Sequence, residues 1–171
     1  SIAIVQCLLN CSFTKYKISK LLHLQDVDGN VPLHTAAAEG YSAMCDLLIR
    51  RGSGVNFTNK NGSTALHLSK QNGHQEVSEL LIRMRAKVNE INKSWSTPLH
   101  IASTIGHIGL CKSLIENGAK PNLSTKDGHT ALHLASMNGY YEVCELLITN
   151  GCWVNFPSSN GSVALHGAAQ N

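Results

Sequence analysis

A Leu-His pair recurs along the chain every 33 residues, and this periodicity constrains the fold more than any other feature of the sequence. The leucines stand at positions 33, 66, 99, 132 and 165. Three further sets of equivalent residues, which we call columns, recur at the same 33-residue interval. They are a glycine at 40, 73, 106 and 139, a Leu-Ile pair beginning at 48, 81, 114 and 147, and an asparagine at 56, 89, 122 and 155. Columns that stay in phase over several copies indicate an internal structural repeat.

One copy of the repeat shows which elements to expect. Pro32 suits the first position of a helix, because its φ is fixed at a helical value and its missing N–H needs no partner there. The short Ala-rich segment after it should end at Gly40 in the left-handed conformation. A second helix is expected over Ser42–Arg51, followed by an extended loop with a hairpin tip within residues 53–62. Such a unit cannot bury its apolar stripe alone, so neighbouring units must stack.

The period and the signature Thr97-Pro98-Leu99-His100-Ile101-Ala102 resemble the ankyrin repeat. This resemblance covers residues 26–171 and implies an all-α solenoid of stacked helix–turn–helix units with β-hairpin loops. It also implies a concave binding face lined by hairpins and first helices. One continuous stack, a fragment of a longer chain, is expected. Its repeats should span residues 26–58, 59–91, 92–124 and 125–157, with the start of a further repeat at 158–171.

Residues 1–25 fit the repeat less well. Ile4–Leu9 resemble the second helix of a preceding repeat, followed by an insertion before Asp26. Alternatively, residues 1–10 and 15–24 form a helix pair without the usual hairpin loop, and the sequence leaves both readings open. At the other end the chain stops within a first helix without a polar outer cap, so we expect the native protein to continue.

Charge and cysteine content argue against several functional classes. The net charge of +3 arises in residues 1–25, because the remainder holds as many acidic as basic residues. A neutral body does not favour nucleic-acid binding, and no apolar run reaches the ~18 residues of a membrane span. The six cysteines form no C-x-x-C pair. Cys45, Cys111 and Cys144 share a repeat column with Ser78, which indicates core packing rather than reactive thiols. A reducing compartment is expected, the cytoplasm or alternatively the nucleus.

Nine histidines raise the question of a metal or catalytic site, but seven of them stand in repeat columns. His74 and His107 follow the mid-repeat glycine, where the family also favours histidine. Five more should order the hairpins by hydrogen bonding, namely His34, His67, His100, His133 and His166. We therefore predict no metal, no cofactor and no catalytic residues.

Departures from the repeat consensus are the candidates for specificity, since binding in this family usually falls on hairpin tips and on the ends of first helices. Lys60, Lys93 and Lys126 share one tip column. They either create a positive field for an acidic partner segment or are solvated turn residues. Trp95 replaces the turn glycine of the other copies, where a positive φ costs a bulky residue about 1–2 kcal/mol. It is either an exposed binding anchor or part of a remodelled hairpin with its ring packed on a neighbour.

Ile105 and Met137 lie at the ends of the first helices of adjacent repeats. With Trp95 they would form the apolar centre of a protein-binding patch. The polar rim of this patch would consist of Lys93, Lys126 and His129.

The resemblance also implies asparaginyl hydroxylation at a Leu…Val-Asn pattern. The matching residues are Asn56, Asn89 and Asn155, whereas Pro121-Asn122 departs from the pattern. Bonding of the hairpin loop is the alternative, and we favour it as the primary role of these asparagines.

Non-catalytic binding of a protein or peptide through the concave face is thus the leading functional prediction. The alternative is a regulatory or mechanical ankyrin domain of a larger enzyme or channel, which the sequence after Asn171 would reveal. Nucleotide or RNA binding is less favoured, because it needs stacking aromatics and basic residues along the concave face. Only Trp95 and three lysines meet that requirement.

Overall fold

The computed structural model of the protein describes residues 20–69 and 74–169. The contacts divide the chain after Ala86 into two compact units, which are described separately below. Most of the predictions for residues 1–25, together with Cys7 and Cys11, lie outside the described residues. Within the described part, residues 20–22 are helical and Leu22 is buried.

Each unit alternates the two kinds of helix that the repeat predicts. The first unit contains α1 (Pro32–Ala38), α2 (Ser42–Arg50), α3 (Ala65–Leu68) and α4 (Gln75–Arg83). The second unit contains α5 (Pro98–Thr104), α6 (Ile108–Glu116), α7 (Ala131–Met137), α8 (Tyr141–Thr149) and α9 (Ala164–Ala168). First helices and second helices each begin at the same position of successive repeats, as the periodicity predicts.

The core consists of leucine and small side chains rather than aromatic rings. The leucines of the Leu-His and Leu-Ile columns are buried wherever they lie inside a stack, among them Leu33, Leu48, Leu66, Leu81, Leu99, Leu114, Leu132 and Leu147. Ala102 and Ala135 are completely buried in first helices, where a small side chain lets neighbouring helices approach closely. Among the described residues, no helix is long and apolar enough to cross a lipid bilayer.

The cysteine column is part of this core. Cys45 and Cys111 are fully buried, as is Ser78, which confirms the predicted packing role of the column. Burial raises the pKa of Cys45 to about 12 and that of Cys111 to about 11, so both thiols stay protonated and unreactive. Cys144 is only half-buried, because it lies on the last second helix of the described chain.

The loops between repeats end in tight turns rather than in paired strands. In one of them Asn59 N donates to Ser63 O and Gly62 N donates to Asn59 O, each at 2.9 Å. Within residues 20–69 and 74–169 there is no strand, and the sole bridge joins Ser124 to Thr130. The β-hairpin loops of the predicted fold are therefore three-residue tips, because the helix begins directly after the closing bond and leaves no residues for a ladder.

Candidate partner-binding surface

In the second unit, backbone hydrogen bonds connect the hairpin tips of adjacent repeats. Lys126 N donates to Ser94 O at 3.3 Å, and Ser159 N donates to Asp127 O at 3.1 Å. Because the tips form a connected row, residues at equivalent tip positions lie on one surface. We call this row of tips, together with the adjoining first helices, the hairpin face of the second unit.

Trp95 occupies a tip position that is glycine in the other copies. Its φ is 58°, compared with 72° at Gly62 and 77° at Gly128. Trp95 N donates to Asn92 O at 2.9 Å, as in the glycine-containing tips. The predicted positive φ is thus confirmed, and the turn is not remodelled around the tryptophan. The side chain remains 56% exposed.

Besides the left-handed backbone, Trp95 brings a Cβ to a tip position where the other copies have none. A Cβ placed on Gly128 would lie 2.5 Å from Ser159 N of the next tip. Trp95 carries such a Cβ, and its next tip stands farther away, with an N···O distance of 3.3 Å instead of 3.1 Å. The fold therefore accommodates Trp95 at the expense of a left-handed backbone.

The three tip lysines are exposed. Lys93 and Lys126 lie on adjacent tips of the second unit. Lys60 lies at the same position of a tip in the first unit, where its Nζ donates to Val27 O at 2.8 Å. The ammonium group of Lys60 is thus partly held by the preceding tip.

The apolar candidates lie at two different ends of the first helices. Ile105 directly follows α5 and is 41% exposed, and Met137 is the last residue of α7 and is 48% exposed. Trp95 precedes α5, a helix of seven residues that spans about 10 Å. The structure therefore separates Trp95 from Ile105, and the three side chains do not share the single centre expected from the sequence.

A small cavity of about 120 Å³ between α7 and α9 brings His129 and Met137 together. The rings of His129 and His133 meet here with their centroids 5.7 Å apart at an angle of 55°. We call this cavity the histidine notch. Its polar lining consists of His129, His133, Asn160, Ser162 and His166. Sequence reasoning missed Asn160, Ser162 and His166 as site residues, although the period places each in a tip or first-helix column.

The histidines of the Leu-His pairs connect one repeat to the next. In the first unit, Val31 N donates to His34 Nδ1 at 3.1 Å, and the Nε2–H of His34 donates to Phe57 O at 3.0 Å. His100 makes the equivalent bond to Leu123 O at 2.9 Å. Because a backbone N–H can only donate and a carbonyl can only accept, these rings are neutral with the proton on Nε2. Their predicted role in ordering hairpins is confirmed.

A family model described as ankyrin repeats (3 copies) matches residues 33–125 and 99–171. The chain belongs to the ankyrin-repeat family. A search of curated proteins finds no match. Ankyrin repeats are generally protein–protein interaction modules, and the family is typically non-catalytic.

The other histidine column of this ankyrin-repeat protein is also structural. The ring of His74 packs against Gly40 of the preceding repeat, and His107 Nδ1 accepts a hydrogen bond from Leu110 N at 3.2 Å. Within the described part of the chain, no group of three or more His, Cys, Asp or Glu residues is arranged to hold a metal ion.

The asparagine column links successive ankyrin repeats. Asn56 Nδ2 donates to Arg85 O at 3.2 Å, and Asn89 Nδ2 donates to Gly118 O at 2.9 Å. The favoured structural role is thus confirmed, but the partner is the turn after the second helix of the next repeat rather than the hairpin loop. Asn155 is exposed. Hydroxylation at Asn56, Asn89 and Asn155 stays a prediction.

Arg85 shows a second departure from the ankyrin consensus, which sequence reasoning missed. It lies two residues after the end of α4 and has a φ of 66°, where Gly52, Gly118 and Gly151 take 102°, 87° and 83°. The signal was available in the sequence, because Arg85 stands at the 33-residue step from these glycines.

Proposed function

We propose that this ankyrin-repeat protein binds a protein or peptide through the hairpin face of its second unit, with Trp95 as the main anchor. One observation carries the proposal, an indole that is 56% exposed on a backbone with a φ of 58°. Such a residue costs the fold about 1–2 kcal/mol relative to the glycine of the other copies. An exposed indole that the fold keeps at this cost is explained best by a role in binding, since tryptophan is enriched among the residues that dominate binding energy.

The surroundings of Trp95 support a partner segment that runs along the first helices. Exposed apolar side chains lie at the far helix ends, Ile105 after α5 and Met137 on α7. Lys93 and Lys126 flank Trp95 on the tips. A segment with apolar residues toward its two ends and acidic residues near the tips would complement this surface.

Photo-crosslinking followed by affinity measurement tests the proposal. A photoreactive amino acid at Ser94 should capture the partner, whereas the same group at Lys112, on the second helix α6, should not. With the captured partner, Trp95→Ala should weaken binding by at least ~2 kcal/mol, the usual threshold of a hot spot. The matched control is Trp153→Ala, which removes a 62% exposed indole stacked on Phe156 away from the tips.

Two outcomes would contradict this assignment. Unchanged affinity of Trp95→Ala together with a lower free energy of unfolding would make Trp95 a packing residue. An equal loss of affinity in Trp153→Ala would place the contact outside the hairpin face.

Charge reversal tests the contribution of the lysines. Changing Lys93 and Lys126, the tip lysines of the hairpin face, to Glu should slow association and reduce its dependence on salt, because exposed charges act mainly through long-range attraction. Lys112→Glu provides the control, since Lys112 is exposed on α6. Equal effects of the control and the tip variants would remove the lysines from the proposed surface.

We further propose that the protein acts in the cytoplasm, with the nucleus as the second candidate. Cys45, Cys111 and Cys152 are free and buried, which suits a reducing compartment. A regulatory role within a larger polypeptide would use the same face, with the partner segment supplied by another domain of that chain.

A further inference from the structure

Two hydrogen-bond acceptors of the histidine notch, His133 Nδ1 and Asn160 Oδ1, are already engaged by the fold. His133 Nδ1 accepts from Thr130 N at 3.2 Å, and its Nε2–H donates to Ser162 O at 3.1 Å. Asn160 Oδ1 accepts from Ser162 N at 3.0 Å and from Ser158 Oγ at 2.7 Å. Asn160 Nδ2 and the rings of His129 and His166 therefore remain for a ligand, and each of them can donate an N–H group.

Three side chains supply these donors. The amide oxygen of Asn160 accepts from Ser162 N, which leaves its Nδ2 as a donor. His166 Nδ1 accepts from Val163 N at 3.0 Å, which leaves the proton of the neutral ring on Nε2. The ring of His129 carries one N–H and adds the third donor. Among the described residues, neither Asn160 Nδ2 nor His166 Nε2 has a hydrogen-bond partner, and the ring of His129 meets only that of His133.

The net charge of the side chains around the notch is not negative, so it does not oppose the binding of an anion. Lys126 and Asp127 on the tip before α7 balance each other, and Lys93 lies on the preceding tip. The tip formed by residues 158–162 and helix α9 carry no acidic side chain. Met137 and the backbone around Gly167 form the apolar wall, with the Met137 Cγ 2.8 Å from a Cβ placed on Gly167. A short side chain with an apolar stem and an acceptor at its end matches this lining.

We infer that the histidine notch binds the carboxylate of an Asp or Glu side chain of the partner, an inference that rests on the proposed function because it assumes a partner on this face. The stem of the acidic residue packs on Met137. Its two oxygens accept from Asn160 Nδ2 and from the rings of His129 and His166. The volume of about 120 Å³ exceeds the roughly 30 Å³ of a water molecule severalfold, which is enough for a carboxyl group. The notch thus selects acidic residues at one position of the bound segment.

Two substitutions use residue types that the chain already accepts at equivalent tip positions. Asn160→Asp introduces the residue found at Asp28 and Asp127, keeps the acceptor for Ser162 N and replaces the donor by a negative charge. His129→Ser introduces the residue found at the same tip position in three other copies, Ser63, Ser96 and Ser162. The matched control is Asn61→Asp, which makes the same change on a tip of the first unit.

The experiment compares a fluorescein-labelled decapeptide of alternating Glu and Val with its Gln counterpart by fluorescence anisotropy. The protein should bind the Glu peptide about tenfold more tightly, the effect of one hydrogen-bonded charge. Asn160→Asp should abolish this preference and His129→Ser should reduce it, while Asn61→Asp should leave it unchanged. In NMR spectra, the Glu peptide should shift the side-chain amide of Asn160 and the ring protons of His166.

The outcomes separate this inference from the proposed function. Equal affinity for both peptides, no binding of either, or a preference that survives Asn160→Asp overturns the notch assignment. If Trp95→Ala still lowers the affinity for the crosslinked partner, the proposed binding face remains supported without the notch. If Trp95→Ala has no effect on that partner while the Glu preference persists, the notch stands and the Trp95 anchor is wrong.

Discussion

Trp95→Ala and Trp95→Gly remove the same indole but differ in the Cβ on a backbone with a φ of 58°. At an ordinary position Ala is the more stable choice, because glycine has more conformational entropy to lose on folding, about 0.4–1 kcal/mol. At a positive φ the Cβ costs about 1–2 kcal/mol, which outweighs that entropy. We therefore expect Trp95→Gly to be more stable than Trp95→Ala by about 0.5–1 kcal/mol, with equal loss of partner affinity.

Urea denaturation followed by circular dichroism measures this difference, provided both variants unfold with the same m-value. Arg85→Gly and Arg85→Ala, at a φ of 66°, should show the same order without loss of affinity. Ser94, on the same tip as Trp95 but with an ordinary φ, should show the reverse order. An alanine variant at position 95 more stable than the glycine variant would refute the positive φ and, with it, the strain argument for a binding anchor.

Three further predictions concern the repeat columns. Burial lowers the pKa of His34, His100 and His133 below the ordinary 6.5, so the unfolded chain takes up protons first. The free energy of unfolding should be constant above about pH 7 and fall as pH drops through 6.5, and a flat profile would contradict the buried neutral rings. Neither a chelator nor a mild reductant should shift the melting temperature, because packing between repeats supports the fold; a shift of several degrees with either would refute the structural reading of His and Cys. Treatment with an asparaginyl hydroxylase should add the mass of one oxygen atom to Asn155 before Asn56 or Asn89, because the side-chain amides of Asn56 and Asn89 donate to Arg85 O and Gly118 O. An unchanged intact mass would contradict this modification.

The positions of the helices and turns could be predicted because each contact between repeats recurs in every copy. His34 and His100 bridge to the following loop in the same way, and that shared constraint appears in the sequence as a column. Trp95 is the clearest case, since its place in a glycine column predicted a positive φ without any structure. Arg85 carried the same signal in another column.

The binding surface was less predictable, because it consists of departures from the repeat. Trp95 and Ile105 both depart from the consensus, but only the helix between them shows that they lie at opposite ends of α5. The asparagines were expected to bond their hairpin loop, yet Asn56 reaches Arg85 O in the next repeat. No column identifies such a partner, since it depends on how far adjacent repeats are displaced along the stack.

The sequence by itself therefore determined the repeat, its helices, its caps and the strained turn at Trp95, because these follow from local conformational preferences repeated at a constant interval. Only the tertiary structure decided that His129, Asn160 and His166, from two successive repeats, line one notch in which each of them offers an N–H donor. Whether a polar atom is free depends on every neighbour within hydrogen-bond distance. In this chain the side chains that line the notch come from two repeats, and His133 donates to Ser162 O across them, so spacing along the sequence does not show that they meet.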